Sequence, residues 1–139
     1  MSTLRSTLAL AFFVLAASVA GCGGPLTLTA NGTQRDPGAE ARIEVSDLPG
    51  GNHLLTLTVQ HLTPPERLGA GNTAFLVWIR PPSGAAILAS QLGYAPDARQ
   101  GTATMTTPLQ RFTVLVTAES TPNSTVPSDF VVLSEDLTL

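Results

Sequence analysis

From Ala39 to Val45 the chain alternates. Ala39, Ala41, Ile43 and Val45 fall on one side, and Glu40, Arg42 and Glu44 on the other. A period of two places the apolar set on one face of a strand and the charged set in water. His53 to Leu62 repeats the pattern, with Leu55, Leu57 and Val59 on the face shared by His53 and His61. Arg111 to Ala118 is rich in β-branched residues and puts Phe112, Val114 and Val116 on one face. The stretch Ala74-Phe75-Leu76-Val77-Trp78-Ile79 does not alternate. A strand that is apolar on both sides is covered on both sides. The run is too short for an ordinary helix and Pro81-Pro82 stops it, so it reads as a buried central strand. Phe75, Val77 and Trp78, with Phe112, Val114 and Val116, are the expected structural core.

Shorter segments fill in the rest. Leu26–Thr29, Thr102–Thr106, Phe130–Leu133 and Leu137–Leu139 read as strands. Ala85–Leu92 is apolar but Ala-rich, a composition that also suits a helix. Asn31-Gly32, Asp36-Pro37-Gly38, Pro49-Gly50-Gly51 and Pro96-Asp97 are turn sequences. Thr63-Pro64-Pro65 cannot continue a sheet, because two successive residues lack a backbone donor. Leu62–Thr73, Gly93–Gly101 and Ser120–Ser128 read as loops. Eight or so short strands with turn signals between them predict an all-β fold, a single immunoglobulin-like antiparallel β-sandwich over residues 26–139.

The N-terminus follows different rules. Arg5 is the only charge before Arg35, and Leu8–Ala17 is an unbroken apolar run. Ten residues is too short to span a bilayer and typical of a signal-peptide core. Small residues follow, then Cys22, the one cysteine of the 139 residues. Val19-Ala20-Gly21-Cys22 resembles a bacterial lipobox. That resemblance implies removal of residues 1–21 and a lipid on Cys22, with residues 22–25 as a short tether. The expected setting is a bacterial cell envelope, with the domain outside the cytoplasm and held to the membrane through Cys22. Gly23, rather than Asp, after the cysteine resembles lipoproteins sent to the outer membrane of Gram-negative cells.

Composition narrows the function classes. Charged residues make up 12% of the chain, against about 25% in ordinary globular proteins. All the basic residues are Arg, and they form no block, so nucleic acid is not an expected partner. His53 and His61 lie about 26 Å apart along one extended strand at ~3.3 Å per residue, too far to share a metal. Pro82-Ser83-Gly84 is a turn serine and not the G-x-S-x-G elbow of a hydrolase. Glu119 and Asp129 flank a loop as a carboxylate pair, but solvated loop and edge charges account for both. Gly69-Ala70-Gly71 has no helix after it and gives no phosphate site. No catalytic, cofactor-binding or metal-ligating set is expected.

Ala74 to Leu133 resembles the extracytoplasmic C-terminal domain of anti-sigma-K-type factors. The shared features are Val77-Trp78 in a buried strand, the Pro82-Ser83-Gly84 turn and Leu92-Gly93 after the next strand. Phe112 ahead of Val116-Thr117-Ala118-Glu119, and Pro127-Ser128 before a last apolar strand, complete the pattern. Those regulators also resemble one another in a zinc-binding sigma-inhibitor domain and a membrane helix, and neither has a counterpart in this sequence. The resemblance therefore implies an outer, sensor-like domain without sigma-factor inhibition. The functional expectation is a non-catalytic, lipid-anchored envelope module that contacts another envelope protein. The alternative is a hydrolase-like envelope enzyme with an unrecognised site.

Overall fold

The computed structural model describes residues 23–139. The expected signal segment 1–21, its lipobox residues Val19, Ala20 and Gly21, and Cys22 lie outside the described residues. Eight strands follow: β1 Leu26–Asn31, β2 Glu40–Leu48, β3 Asn52–Gln60, β4 Ala74–Arg80, β5 Ile87–Ala95, β6 Gln100–Thr107, β7 Arg111–Glu119 and β8 Val131–Thr138. One helical turn, α1 Pro65–Leu68, lies between β3 and β4. Every paired strand is antiparallel. The order is β1-β2-β3-β6-β5-β4-β7-β8. With β1 set aside, β2-β3-β6-β5 and β4-β7-β8 follow the ABED and CFG order of an immunoglobulin-type sandwich.

The two layers are joined by β5. Its first part, Ile87–Leu92, pairs with β4, and its last part, Gly93–Ala95, pairs with β6. On the opposite side β1 and β8 lie close without pairing, and just beyond β1 Thr33 reaches across to β8: its amide donates to the Val132 carbonyl at 2.9 Å and its hydroxyl to the Val131 carbonyl at 2.6 Å. The result is a nearly closed sandwich. The tight β2–β3 turn depends on Gly50 and Gly51, at φ 86° and 80°, where a side chain would be strained.

Alternation fills the inter-sheet core from both layers. Ala41, Ile43, Val45, Leu55, Leu57 and Val59 come from one side, and Phe75, Val77, Phe112, Val114 and Val116 from the other. All are buried. Trp78 faces the other way. It forms a second cluster with Leu76 and Leu115, against which Ala86 and Val131 pack, and it is 0% exposed. An indole on the outward face of a sheet needs a partner for its N–H once water is excluded. Thr117, next to it on β7, supplies one: Trp78 Nε1–H donates to Thr117 Oγ1 at 2.8 Å.

Between the two readings open for Ala85–Leu92 the structure has strand from Ile87 onward, because pairing with β4 satisfies its backbone. Two segments differ from the sequence expectation. The loop expected over Gly93–Gly101 contracts to residues 96–99, because Gly93–Ala95 pairs with Gln100–Thr102. Phe130–Leu133 and Leu137–Leu139 are not separate pieces. Val131–Thr138 is one strand running through Ser134-Glu135-Asp136, whose acidic side chains lie on the sheet's last strand and discourage pairing with another chain.

Trp78→Ala is expected to cost about 3–5 kcal/mol, from the lost burial of a large ring and the cavity left behind. Against a total near 5–15 kcal/mol, the variant should melt far lower or fail to fold. Urea unfolding followed by far-ultraviolet circular dichroism checks this, since the sole Trp signal is lost with the mutation. An unchanged midpoint would show that the second cluster contributes nothing.

Candidate functional site

Strand direction sorts the connections to two ends. The chain enters at Gly23 on the end that also holds the β2–β3 turn, residues 81–86, residues 108–110 and Leu139. The opposite end gathers residues 32–39, 61–73, 96–99 and 120–130. All three loops singled out from the sequence therefore lie at one end, and residues 32–39 join them.

This loop end is tied together by side chains. Residues 33–39 make two successive turns, Asp36 N–H to Thr33 O at 3.1 Å and Ala39 N–H to Asp36 O at 3.0 Å. The turns aim the Asp36 carboxylate inward, where it is 4% exposed. One oxygen accepts the Thr63 amide and the other the Thr63 hydroxyl, both at 2.9 Å. Arg99, at φ 50°, grips the same segment from the other side. Its Nε donates to Leu62 O at 3.1 Å, and one terminal nitrogen donates to His61 O at 3.1 Å and to Thr63 Oγ1 at 3.3 Å. The Tyr94 hydroxyl also donates to Leu62 O, at 3.1 Å. The Tyr94 ring meets Phe75 edge-on at 5.2 Å, which connects the clamp to the core.

The long loop is held separately. Glu119 is 4% exposed, contrary to the solvated role expected for it, and Asp129 is exposed. The Thr117 hydroxyl donates to Glu119 Oε1 at 2.6 Å, and the Ser128 amide donates to the same oxygen at 2.7 Å. The Ser128 hydroxyl donates to Ala118 O at 2.9 Å. A buried carboxylate is tolerated where donors surround it, and here the donors come from both ends of the loop it closes. Arg35 stacks its guanidinium over the Phe130 ring at 4.9 Å, bringing residues 32–39 against residues 120–130. Gly69 lies under the same ring; a Cβ there would come within 2.6 Å of Phe130. His61, Gln34, Glu66, Arg67 and Asn123 remain exposed on the surface of this end.

His53 lies at the other end, in the first turn-side residues of β3 opposite Thr107, and is 6% exposed. Its Nδ1 lies 2.8 Å from Asp47 Oδ1 and its Nε2 lies 2.8 Å from Gln110 Nε2. Both ring nitrogens have a polar partner, so this Asp-His-Gln line ties the end of β2 to residues 108–110. Ser83 is exposed in the β4–β5 turn. Among the described residues, no group of three or more His, Cys, Asp and Glu side chains is placed to hold a metal. No family model matches the chain, and neither a curated protein nor a solved structure matches it.

Two outcomes test the loop end. Glu119→Ala should cost about 1–3 kcal/mol, because Thr117 and the Ser128 amide lose their acceptor. Limited proteolysis should then cut within residues 120–128 while the strands stay protected; an undisturbed digestion pattern would contradict the pinning role. Burial holds the Tyr94 phenol above its ordinary value of 10.0, opposed by the Arg99 guanidinium and reinforced by Glu66 and Asp36. The folded value lies above the unfolded one, so this stabilisation is complete below about pH 10 and is lost as pH rises through the raised value. Tyr94 is the only tyrosine, so phenolate absorbance reports it alone. Its midpoint should lie above that of the unfolded chain, and clamping by the phenol predicts that residues 61–63 loosen as it ionises.

Proposed function

We propose that the protein is a lipid-anchored module of the bacterial cell envelope that acts by binding another envelope protein through its four-loop end. The observation that carries this reading is the placement of the chain's entry and the loop cluster at opposite ends. Strands of nine residues at ~3.3 Å per residue separate them by about 30 Å. A lipid on Cys22, joined by Gly23-Gly24-Pro25, would hold one end near the membrane and present the other away from it. Loops fixed on a rigid sheet scaffold are where recognition is usually built. The clamps on Leu62–Thr63 and Ser128 fix the backbone that carries the exposed polar side chains, which lowers the ordering cost of binding.

The stretch Ala74–Leu133 that resembles the outer domain of anti-sigma-K-type factors comprises β4 to β7 and the first part of β8. The proposal takes from it an extracytoplasmic sensor-like role and no sigma-factor inhibition.

Cys22→Ala should move the protein to the soluble fraction or leave it unprocessed in the membrane. Mass spectrometry of the wild type should show an acylated N-terminal cysteine, and an unmodified Cys22 would remove the anchor from the proposal. Replacing residues 64–71 or 121–127 with short Gly-Ser segments should lower the melting temperature only modestly. At least one replacement should abolish crosslinking to the partner in the native membrane. Turnover of a hydrolase substrate by purified wild type, with no loss of crosslinking in any replacement, would favour the enzyme reading instead.

A further inference from the structure

The end where the chain enters has its own chemistry. Below Gly93, β5 leaves β6 and pairs only with β4, so the two layers part. The gap is an apolar groove of about 420 Å³ lined by Ile79, Ile87, Leu88, Pro108 and Leu109 among others. Ile87 is 65% exposed and Leu88 40%. Among the described residues four large hydrophobic side chains are exposed; Ile87, Leu88 and Leu26 lie at this end, and only Val126 lies at the loop end. Arg80 ends β4 and Arg111 opens β7, both exposed, and together with Pro81 and Pro82 they line a neighbouring groove. Two carboxylates share this end: Asp136 lines the same groove and accepts the Thr113 hydroxyl at 2.5 Å, and Asp47, bonded to His53, keeps 89% of its side chain exposed.

We propose that this end is a membrane-resting face. Ile87 and Leu88 enter the boundary between headgroups and acyl chains, and Arg80 and Arg111 meet lipid phosphates. The inference rests on the lipid anchor proposed above. Three residues separate Cys22 from β1, so four Cα steps give a reach of about 14 Å at most. An anchor on so short a lead brings this end, and not the loop end, against the bilayer. The chemistry matches what it would meet there. Apolar side chains flanked by Arg suit an interface whose outer layer is anionic and whose inner layer is hydrocarbon. A lipid on a short tether holds the domain at the membrane without setting its tilt, and a protein face that also partitions fixes its orientation.

The test uses the full-length chain, lipidated in its host and reconstituted into phosphatidylethanolamine–phosphatidylglycerol vesicles. Cys22 is the only native cysteine, and acylation consumes its thiol, so Ile87→Cys adds a single labelling site. Val126→Cys serves as the loop-end control. An environment-sensitive fluorophore at position 87 should emit at shorter wavelength than at position 126. Spin-labelled lipids should quench it several-fold more strongly. Equal, solvent-like emission at both positions, with acylated Cys22 found by mass spectrometry, would overturn the membrane face and leave the anchor standing. A blue-shifted label at position 87 that lipid quenchers do not reach would show the groove covered by protein, and would also overturn it. Fluorophore recovered on Cys22 would show a free thiol, and the anchor and the face would fall together.

Discussion

Strand β4 has no wet face. Phe75, Val77 and Ile79 fill the space between the layers, while Leu76 and Trp78 are buried on the side that a two-layer sandwich ordinarily gives to solvent. Burying the indole there removes water from its N–H, and the structure replaces that water with a line of hydrogen bonds. It runs from Trp78 to Thr117, from Thr117 to Glu119, and from the Ser128 amide back to Glu119. Each member is satisfied only because the next is in place, as in buried polar networks generally. The conformation of the longest loop is therefore coupled to the packing of one ring near the centre of a strand.

The same chain makes two unlike ends. At the loop end, two buried carboxylates and one arginine hold the backbone: Asp36 and Arg99 bind opposite sides of residues 61–63, and Glu119 closes residues 120–128. At the entry end the layers separate, and apolar side chains with arginines face outward. The switch of β5 from one layer to the other produces this difference. Where β5 bridges the layers the sandwich is shut, and where it does not the core is exposed along a groove.

Much of the fold is legible because burial imposes a period of two. The alternation from Ala39 to Val45 identifies the inward residues of β2, and the unbroken apolar run identifies β4 as covered on both sides. What the sequence does not show is decided by residues far apart along it. Gly93-Tyr94-Ala95 resembles a loop until Gln100–Thr102 pairs with it. Asp36 reads as a turn residue, and its carboxylate is claimed by Thr63, 27 positions away. Glu119 reads as an edge charge, since nothing local reveals that the Ser128 amide will need an acceptor. The partners of His53 are hidden for the same reason: Asp47 comes from the end of β2 and Gln110 from the β6–β7 connection. The candidate site was legible only as three loops, and their shared end follows from strand direction.

Gly23–Leu26 and Leu139 line one groove, so the chain enters and leaves the sandwich side by side. A fold with adjacent ends closes on itself without needing either end to be free. It can be spliced into a surface loop of a host protein as a cassette, with little stretching of the host backbone. Its order can also be permuted by joining the two ends and opening a connection elsewhere. The coupling between Trp78 and the 120–130 loop would travel intact with such a cassette, because every residue in that line lies between the two joints.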